Sequence, residues 1–132
     1  ILLLSIFWTL KISPIFKWYK EYLQPKNNFI LQEEKNNNYS NYWMTNIIIT
    51  SNKLNRNNLI EYLKNNNIDS RPVFSPISEY PIWGKKLKAK KISSIVGNNA
   101  LNLPSGVKLT KAEVFYISSK INDFFNRSLY EN

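Results

Sequence analysis

The sequence predicts an α+β domain, and three observations carry that expectation. A β-branched stretch culminates in Ile47-Ile48-Ile49, several segments repeat apolar residues at helical spacing, and prolines and asparagine clusters punctuate the intervals. With 132 residues, 43% apolar and 14% aromatic, the chain can form one domain whose core needs neither disulfide nor metal.

Taken in order, the first ten residues form an apolar run closed by Lys11. A bilayer span takes about 20 apolar residues, and the run lacks the basic start and small-residue cleavage site of a signal peptide. Residues 1–14 are therefore expected to be a buried segment of a longer protein, and 15–132 the domain proper. Pro14 disfavours helix at Ser13, after which Ile15, Phe16, Tyr19, Tyr22 and Leu23 fall at helical spacing until Pro25. The stretch Asn41 to Thr50 suits a central strand. Asn55 is an N-cap, with Leu54 and Leu59 placed to form a hydrophobic staple, and Leu59, Ile60 and Leu63 line one helical face until Asn65-Asn66-Asn67 ends it. Ile68 to Phe74 can then run extended. Pro72, Pro76 and Pro81 stiffen the loop from Arg71 to Trp83. A basic helix is expected from about Ile82 to Val96, ended by Gly97-Asn98-Asn99. Then come the apolar segment Ala100 to Leu103 and the turn Pro104-Ser105-Gly106. Finally, Thr110 and Glu113 make a capping box for a helix whose stripe is Val114, Ile117, Ile121, Phe124 and Phe125.

Composition excludes several chemistries. The chain has no cysteine and no histidine, so disulfides, thiolate or imidazole metal sites, cysteine nucleophiles and serine-histidine catalysis are absent from it. Its three glycines stand singly, which rules out a glycine-rich phosphate loop. The net charge of +9 favours an anionic partner: nucleic acid, an acidic membrane surface or a phosphorylated metabolite. The dense lysines Lys85, Lys86, Lys88, Lys90 and Lys91 are expected to form a solvated basic helix face rather than a polyanion site.

Two stretches carry a resemblance. Ile68-Asp69-Ser70-Arg71-Pro72-Val73-Phe74-Ser75-Pro76-Ile77, and Ala100-Leu101-Asn102-Leu103-Pro104-Ser105-Gly106 followed by Leu109-Thr110, resemble the C-terminal domain of DegT/DnrJ sugar aminotransferases. Trp43, the helix after Asn55, the proline-rich loop, the Leu103-Pro104-Ser105 turn and the final amphipathic helix stand in the order found there. The arginine-proline context of Val73, where many members place a histidine, resembles the perosamine synthase branch, although Val73 replaces the aromatic residue usual in that branch.

The resemblance implies a fold type I enzyme dependent on pyridoxal 5'-phosphate (PLP), with this chain as its small C-terminal domain, a short antiparallel sheet packed with helices. It further implies a cytoplasmic homodimer that moves an amino group from glutamate to a keto sugar on a nucleotide diphosphate. In such enzymes the Schiff-base lysine and most cofactor-binding residues lie upstream, so the fragment is expected to bind no cofactor and to be inactive alone.

For substrate binding the candidates are Arg71, Phe74 and Ser70; no catalytic, cofactor-binding or metal-binding residue is expected in this chain. A guanidinium in a proline-fixed loop can engage a phosphate or carboxylate bidentately, against the plainer alternative of a surface ion pair with Asp69 or Glu79. In a strand Ser70, Pro72 and Phe74 would share one face and Arg71 and Val73 the other, so they cannot all face one ligand unless the strand bends at Pro72. Phe74 suits either core or a sugar pocket, and Trp43 is expected in the core, with contact to substrate as the lesser alternative. Ser105 belongs to a turn, with nothing nearby in sequence to activate it. Two further readings compete with the enzyme fragment: a basic nucleic-acid-binding module, motivated by charge and interleaved aromatics, and a non-catalytic partner of a full-length aminotransferase.

Overall fold

The computed structural model describes residues 14–34, 37–52, 54–83 and 91–127. Helix α1 covers residues 14–22 and buries Ile15, Phe16 and Tyr19, with Leu23 just beyond it. Pro25, with no N–H to continue the helix, opens a turn in which Lys26 and Asn27 both have positive φ and the Asn28 N–H reaches the Pro25 carbonyl at 2.7 Å. The chain then enters β1 (Phe29–Leu31), β2 (Thr45–Ile49), α2 (Arg56–Asn65), β3 (Arg71–Pro72), α3 (Lys91–Asn99), β4 (Ala100–Leu103) and α4 (Lys111–Arg127). Single 3-10 turns occupy Ile77–Glu79 and Pro81–Trp83.

The strands form one sheet in the order β1-β2-β4-β3, antiparallel throughout. The last strand in sequence is thus inserted between β2 and β3. On one face, Phe29 and Leu31 of β1, Ile47 and Ile49 of β2, and Leu101 and Leu103 of β4 join the apolar stripes of α1, α2 and α4 in a single core. The final helix supplies Val114, Ile117, Ile121 and Phe125, all buried, and Phe125 meets Phe29 with ring centroids 5.0 Å apart. Thr45 and Ser118 are fully buried on this side, and neither hydroxyl has a hydrogen-bond partner.

The start signals read from sequence operate as hydrogen bonds. Asn55 Oδ1 accepts from the Asn58 N–H at 3.0 Å, and α2 ends where Asn67 adopts φ 59°, a left-handed geometry that asparagine tolerates. At α4 the Thr110 N–H donates to Glu113 Oε2 at 2.7 Å while Thr110 Oγ1 accepts from the Glu113 N–H at 3.3 Å. The Thr110 N–H and the Thr110 hydroxyl, which donates to the same Oε2 at 2.8 Å, hold the Glu113 carboxyl below its ordinary range.

Three expectations need correction. The predicted basic helix runs over Lys91–Asn99, through the Gly97-Asn98-Asn99 stretch expected to end it. Residues 84–90, including most of the lysine cluster, lie outside the described residues, as do residues 1–13 of the apolar N-terminal segment. The segment expected to run extended from Ile68 to Phe74 pairs with β4 at Arg71 and Pro72, with one more bond from the Val73 N–H to the Ala100 carbonyl, and then turns away. Third, Trp43 is 57% exposed rather than in the core. Neighbouring aromatics here point to opposite sides: the chain bends at Tyr42 (φ 48°), whose ring stacks on buried Phe16 at 3.8 Å, and Trp43 turns outward.

Gly97 sits inside α3, fully buried and with no positive φ. Helix propensity alone would favour alanine there by about 1 kcal/mol. What the missing side chain makes room for is the Pro76 ring, whose Cδ would lie 2.8 Å from an added Cβ.

Candidate functional site

The sheet face away from the main core is only partly covered, by α3 against β2 and β4, and the register writes a polar row across it. Arg71 stands opposite Asn102, Asn102 opposite Asn46, and the Gln32 N–H bonds the Asn46 carbonyl at 3.2 Å. One step along the strands, an apolar row of Ile30, Ile48 and Ala100 runs beside it. Alternation along each strand causes this: the residues between the core-facing positions must point the other way.

The amides in the row are oriented by groups with fixed polarity. Asn46 Nδ2 lies 3.4 Å from the Met44 carbonyl, which can only accept, and donates also to Gln32 Oε1 at 3.1 Å. That arrangement turns the Gln32 amide nitrogen toward Ser40 Oγ, at 3.4 Å, and leaves Asn46 Oδ1 buried without a donor. Asn102 Nδ2 points to the Pro72 carbonyl at 3.4 Å.

Two clefts lie on this face and adjoin. The larger, about 520 Å³, is walled by Trp43, Phe74, Val73 and Val96 over a floor that includes Asn46, Ile48 and Asn102. The smaller, about 350 Å³, runs past Ser70, Arg71 and the Leu103-Pro104-Ser105-Gly106 turn. Trp43, Met44 and Asn102 line both, so the clefts form one bent surface with a guanidinium at one end and an aromatic and amide region at the other. Glu33 adds a carboxylate to the larger cleft.

The structure brings Arg71 and Ser70 together in the smaller cleft and puts Phe74 in the larger. The strand alternation expected for Ser70 to Phe74 does not hold: Val73 and Phe74, adjacent in sequence, wall the same cleft, because β3 ends at Pro72. Arg71 is 77% exposed and pairs with Asp69 at 3.1 Å, an exposed contact that is weak in water and leaves the guanidinium available. Phe74 is 71% exposed, which excludes it from the core. Ser70 Oγ is buried without a hydrogen-bond partner. Ser105 is occupied structurally: its hydroxyl donates to the Leu103 carbonyl and accepts from the Thr45 N–H, both at 2.9 Å.

Sequence reasoning missed Asn46, Asn102 and Gln32, and ranked the core above the cleft for the outward-facing Trp43. A signal existed for Asn102, the lone polar residue in the apolar segment Ala100 to Leu103, where a period of two sets it opposite to Leu101 and Leu103. Gln32 carried none, since its pairing depends on a long-range register.

Comparison with known proteins places this geometry. Residues 8–122 match the DegT/DnrJ/EryC1/StrS aminotransferase family. The chain is 31% identical over 96 residues to a GDP-perosamine synthase of Escherichia coli O157:H7, covering 73% of this chain and 26% of that protein. It is likewise 31% identical over 99 residues to a GDP-perosamine synthase of Vibrio cholerae, covering 73% of this chain and 27% of that one. The chain therefore spans about a quarter of the length of the curated relatives it matches. Its fold superposes on a DegT DnrJ EryC1 StrS aminotransferase from Brucella abortus with a TM-score of 0.71 and 22% identity, covering 88% of this chain and 31% of that one. From its motifs, its sheet and this match over most of its length, the chain belongs to the DegT/DnrJ/EryC1/StrS aminotransferase family.

Proposed function

We propose that residues 15–132 are the C-terminal part of a PLP-dependent aminotransferase that acts on a nucleotide-linked keto sugar, in the manner of perosamine synthases. The observation that carries this reading is the bent surface that joins the exposed guanidinium of Arg71 to the Trp43 and Phe74 walls through Asn102. Its two ends match the two ends of such a substrate. A diphosphate is anionic and planar donors hold it well, and the charge-assisted bonds from Arg71 replace its weak pairing with Asp69. A sugar ring presents hydroxyls to amides and C–H faces to aromatic rings, and the rings of Trp43 and Phe74 keep water from it. Ser70 lies beside Arg71 in the smaller cleft, but its hydroxyl is buried and does not face the substrate.

PLP supplies the electron sink for moving the amino group. The described residues do not fit it. Every described lysine is exposed apart from Lys120, which is half-buried and lies over the Tyr116 ring at 5.4 Å. No group of three or more His, Cys, Asp or Glu residues able to hold a metal occurs among the described residues either. On this reading the cofactor belongs to the remainder of the enzyme, and the fragment binds none and is inactive alone. The complete enzyme takes its amino group from glutamate, works as a homodimer and is cytoplasmic. No described helix is long and apolar enough to cross a membrane.

Two measurements test the proposal. Purified chain titrated with PLP is expected to show no visible absorbance of a lysine-bound cofactor. In the complete enzyme, Arg71→Ala is expected to lower kcat/KM for the nucleotide sugar by roughly 10- to 100-fold with the cofactor spectrum unchanged, since hydrogen bonds to charged groups contribute about 1.5–3 kcal/mol. Unchanged kinetics would assign Arg71 to a surface ion pair and remove the substrate-facing reading of the loop.

A further inference from the structure

We infer that Gly97 is a positioning residue for the candidate sugar-facing loop, holding Phe74 at the cleft wall through direct contact with Pro76. The inference rests on reading that loop as substrate-facing, but its geometry stands on separate observations. The segment that carries Phe74 is fixed at two points. On one side the Val73 N–H donates to the Ala100 carbonyl at 3.2 Å. On the other, the Pro76 ring lies against Gly97, close enough that an added Cβ would fall 2.8 Å from Cδ and 3.4 Å from Cγ. Phe74 and Ser75 alone bridge the interval, so the placement of Pro76 sets where the Phe74 ring can lie.

Gly97 is itself held. The Arg56 Nη1 at the start of α2 donates to the Gly97 carbonyl at 2.6 Å. That carbonyl belongs to the last turn of α3, where intrahelical donors run out and a cation is favoured by the helix dipole. Because α3 passes into β4 at Ala100 without a loop, both fixed points sit on one rigid corner. Glycine is needed there for closeness alone: its backbone is helical with no positive φ, and the Pro76 atoms are what a side chain would strike. A proline ring next to backbone has no flexible end that can move aside, so the loop must shift as a unit.

The test is NMR on the 132-residue chain, following the Phe74 ring and the Ser75 amide. Gly97→Ala is expected to shift both by several times the change at Val114 and Ile121 in the core. Gly97→Ala with Pro76→Ala, in which the methyl added at 97 takes up the contact that Cγ and Cδ made, is expected to bring them back toward their original positions. A Phe74 ring that does not move in Gly97→Ala, that moves only together with the core, or that Pro76→Ala does not restore overturns the inference. Should Gly97→Ala fail to fold, Pro76→Ala alone decides: it must loosen Phe74 and leave the core resonances in place, and an unchanged Phe74 overturns the inference. These measurements concern position, so a failed substrate assay with the Arg71 variant would reject the sugar reading and leave the Gly97 contact standing.

Discussion

Asn46 and Asn102 stand opposite each other on the two central strands, on the sheet face away from the main core. Arg71 follows next to Asn102 in the same row. An Asn102→Asp exchange therefore puts a carboxylate beside the guanidinium proposed to meet the diphosphate. In the complete enzyme it is expected to raise KM for the nucleotide sugar roughly tenfold, and Asn102→Ser is expected to do much less, because competition for Arg71 requires the charge. Steady-state kinetics on both variants check this, and equal effects would show that charge at this position is immaterial.

Arg71→Ala should barely alter folding. Its partner Asp69 is as exposed as Arg71 itself, so the exchange is expected to change stability by less than about 0.5 kcal/mol in denaturant titration. A loss well above that would mean that Arg71 has a structural role.

Asn122 clasps the end of α1. Its Oδ1 accepts from the Gln24 N–H and its Nδ2 donates to the Tyr22 carbonyl, each at 2.9 Å. Water can replace the partner of the exposed Gln24 N–H in Asn122→Ala, so the cost, chiefly at the half-buried Tyr22 carbonyl, is expected to be about 1 kcal/mol. Urea unfolding measures it.

Ser118→Ala is expected to stabilise the chain by about 0.5–1 kcal/mol. The Ser118 hydroxyl is buried in α4 without a partner, so its removal restores desolvation free energy and improves helix propensity. A lower melting temperature would point to a bond that the hydroxyl makes in solution.

Tyr19 is buried, donates to the Pro104 carbonyl at 2.8 Å, and burial pushes its phenol far above the ordinary value of 10.0. The folded pKa is raised, so the contribution is intact below pH 10 and is lost as pH rises further, where the unfolded chain releases this proton and the folded chain retains it. Stability attributable to this group is expected to fall by about 1.4 kcal/mol per pH unit above pH 10. Tyr19→Phe should flatten that alkaline slope relative to the parent chain, at a loss of about 1 kcal/mol at neutral pH from the unpaired Pro104 carbonyl.

The helices were legible because their signals are local. The Asn55 cap, the Thr110 and Glu113 box and the stripe from Val114 to Phe125 each lie within a few turns of one another, and the structure realises all three. What sequence could not supply was register. Only the pairing of β4 between β2 and β3 puts Asn102 between Asn46 and Arg71, and residues that far apart carry no mutual spacing signal. Trp43 was misplaced for a related reason: burial of large aromatics is a good general expectation, but Tyr42 beside it took the core position on Phe16. The face of Phe74 stayed open in the sequence because it depends on whether the strand runs past Pro72, and the strand stops there. The Gly97 contact with Pro76 is invisible to any local pattern.

The strand order has a consequence for how the domain folds. During synthesis β1 and β2 can pair as soon as both have emerged, but β3 has no neighbour until residues 100–103 exist, since its partner in the sheet is β4. The strand that emerges last of the four must enter the middle of the sheet. Such late insertion makes the domain cooperative and slow, and leaves edges of β2 and β3 unpaired in the interval. A nascent chain stalled before Ala100 would expose those edges together with the apolar residues of β2, and would be a substrate for chaperones and proteases rather than a partly working domain.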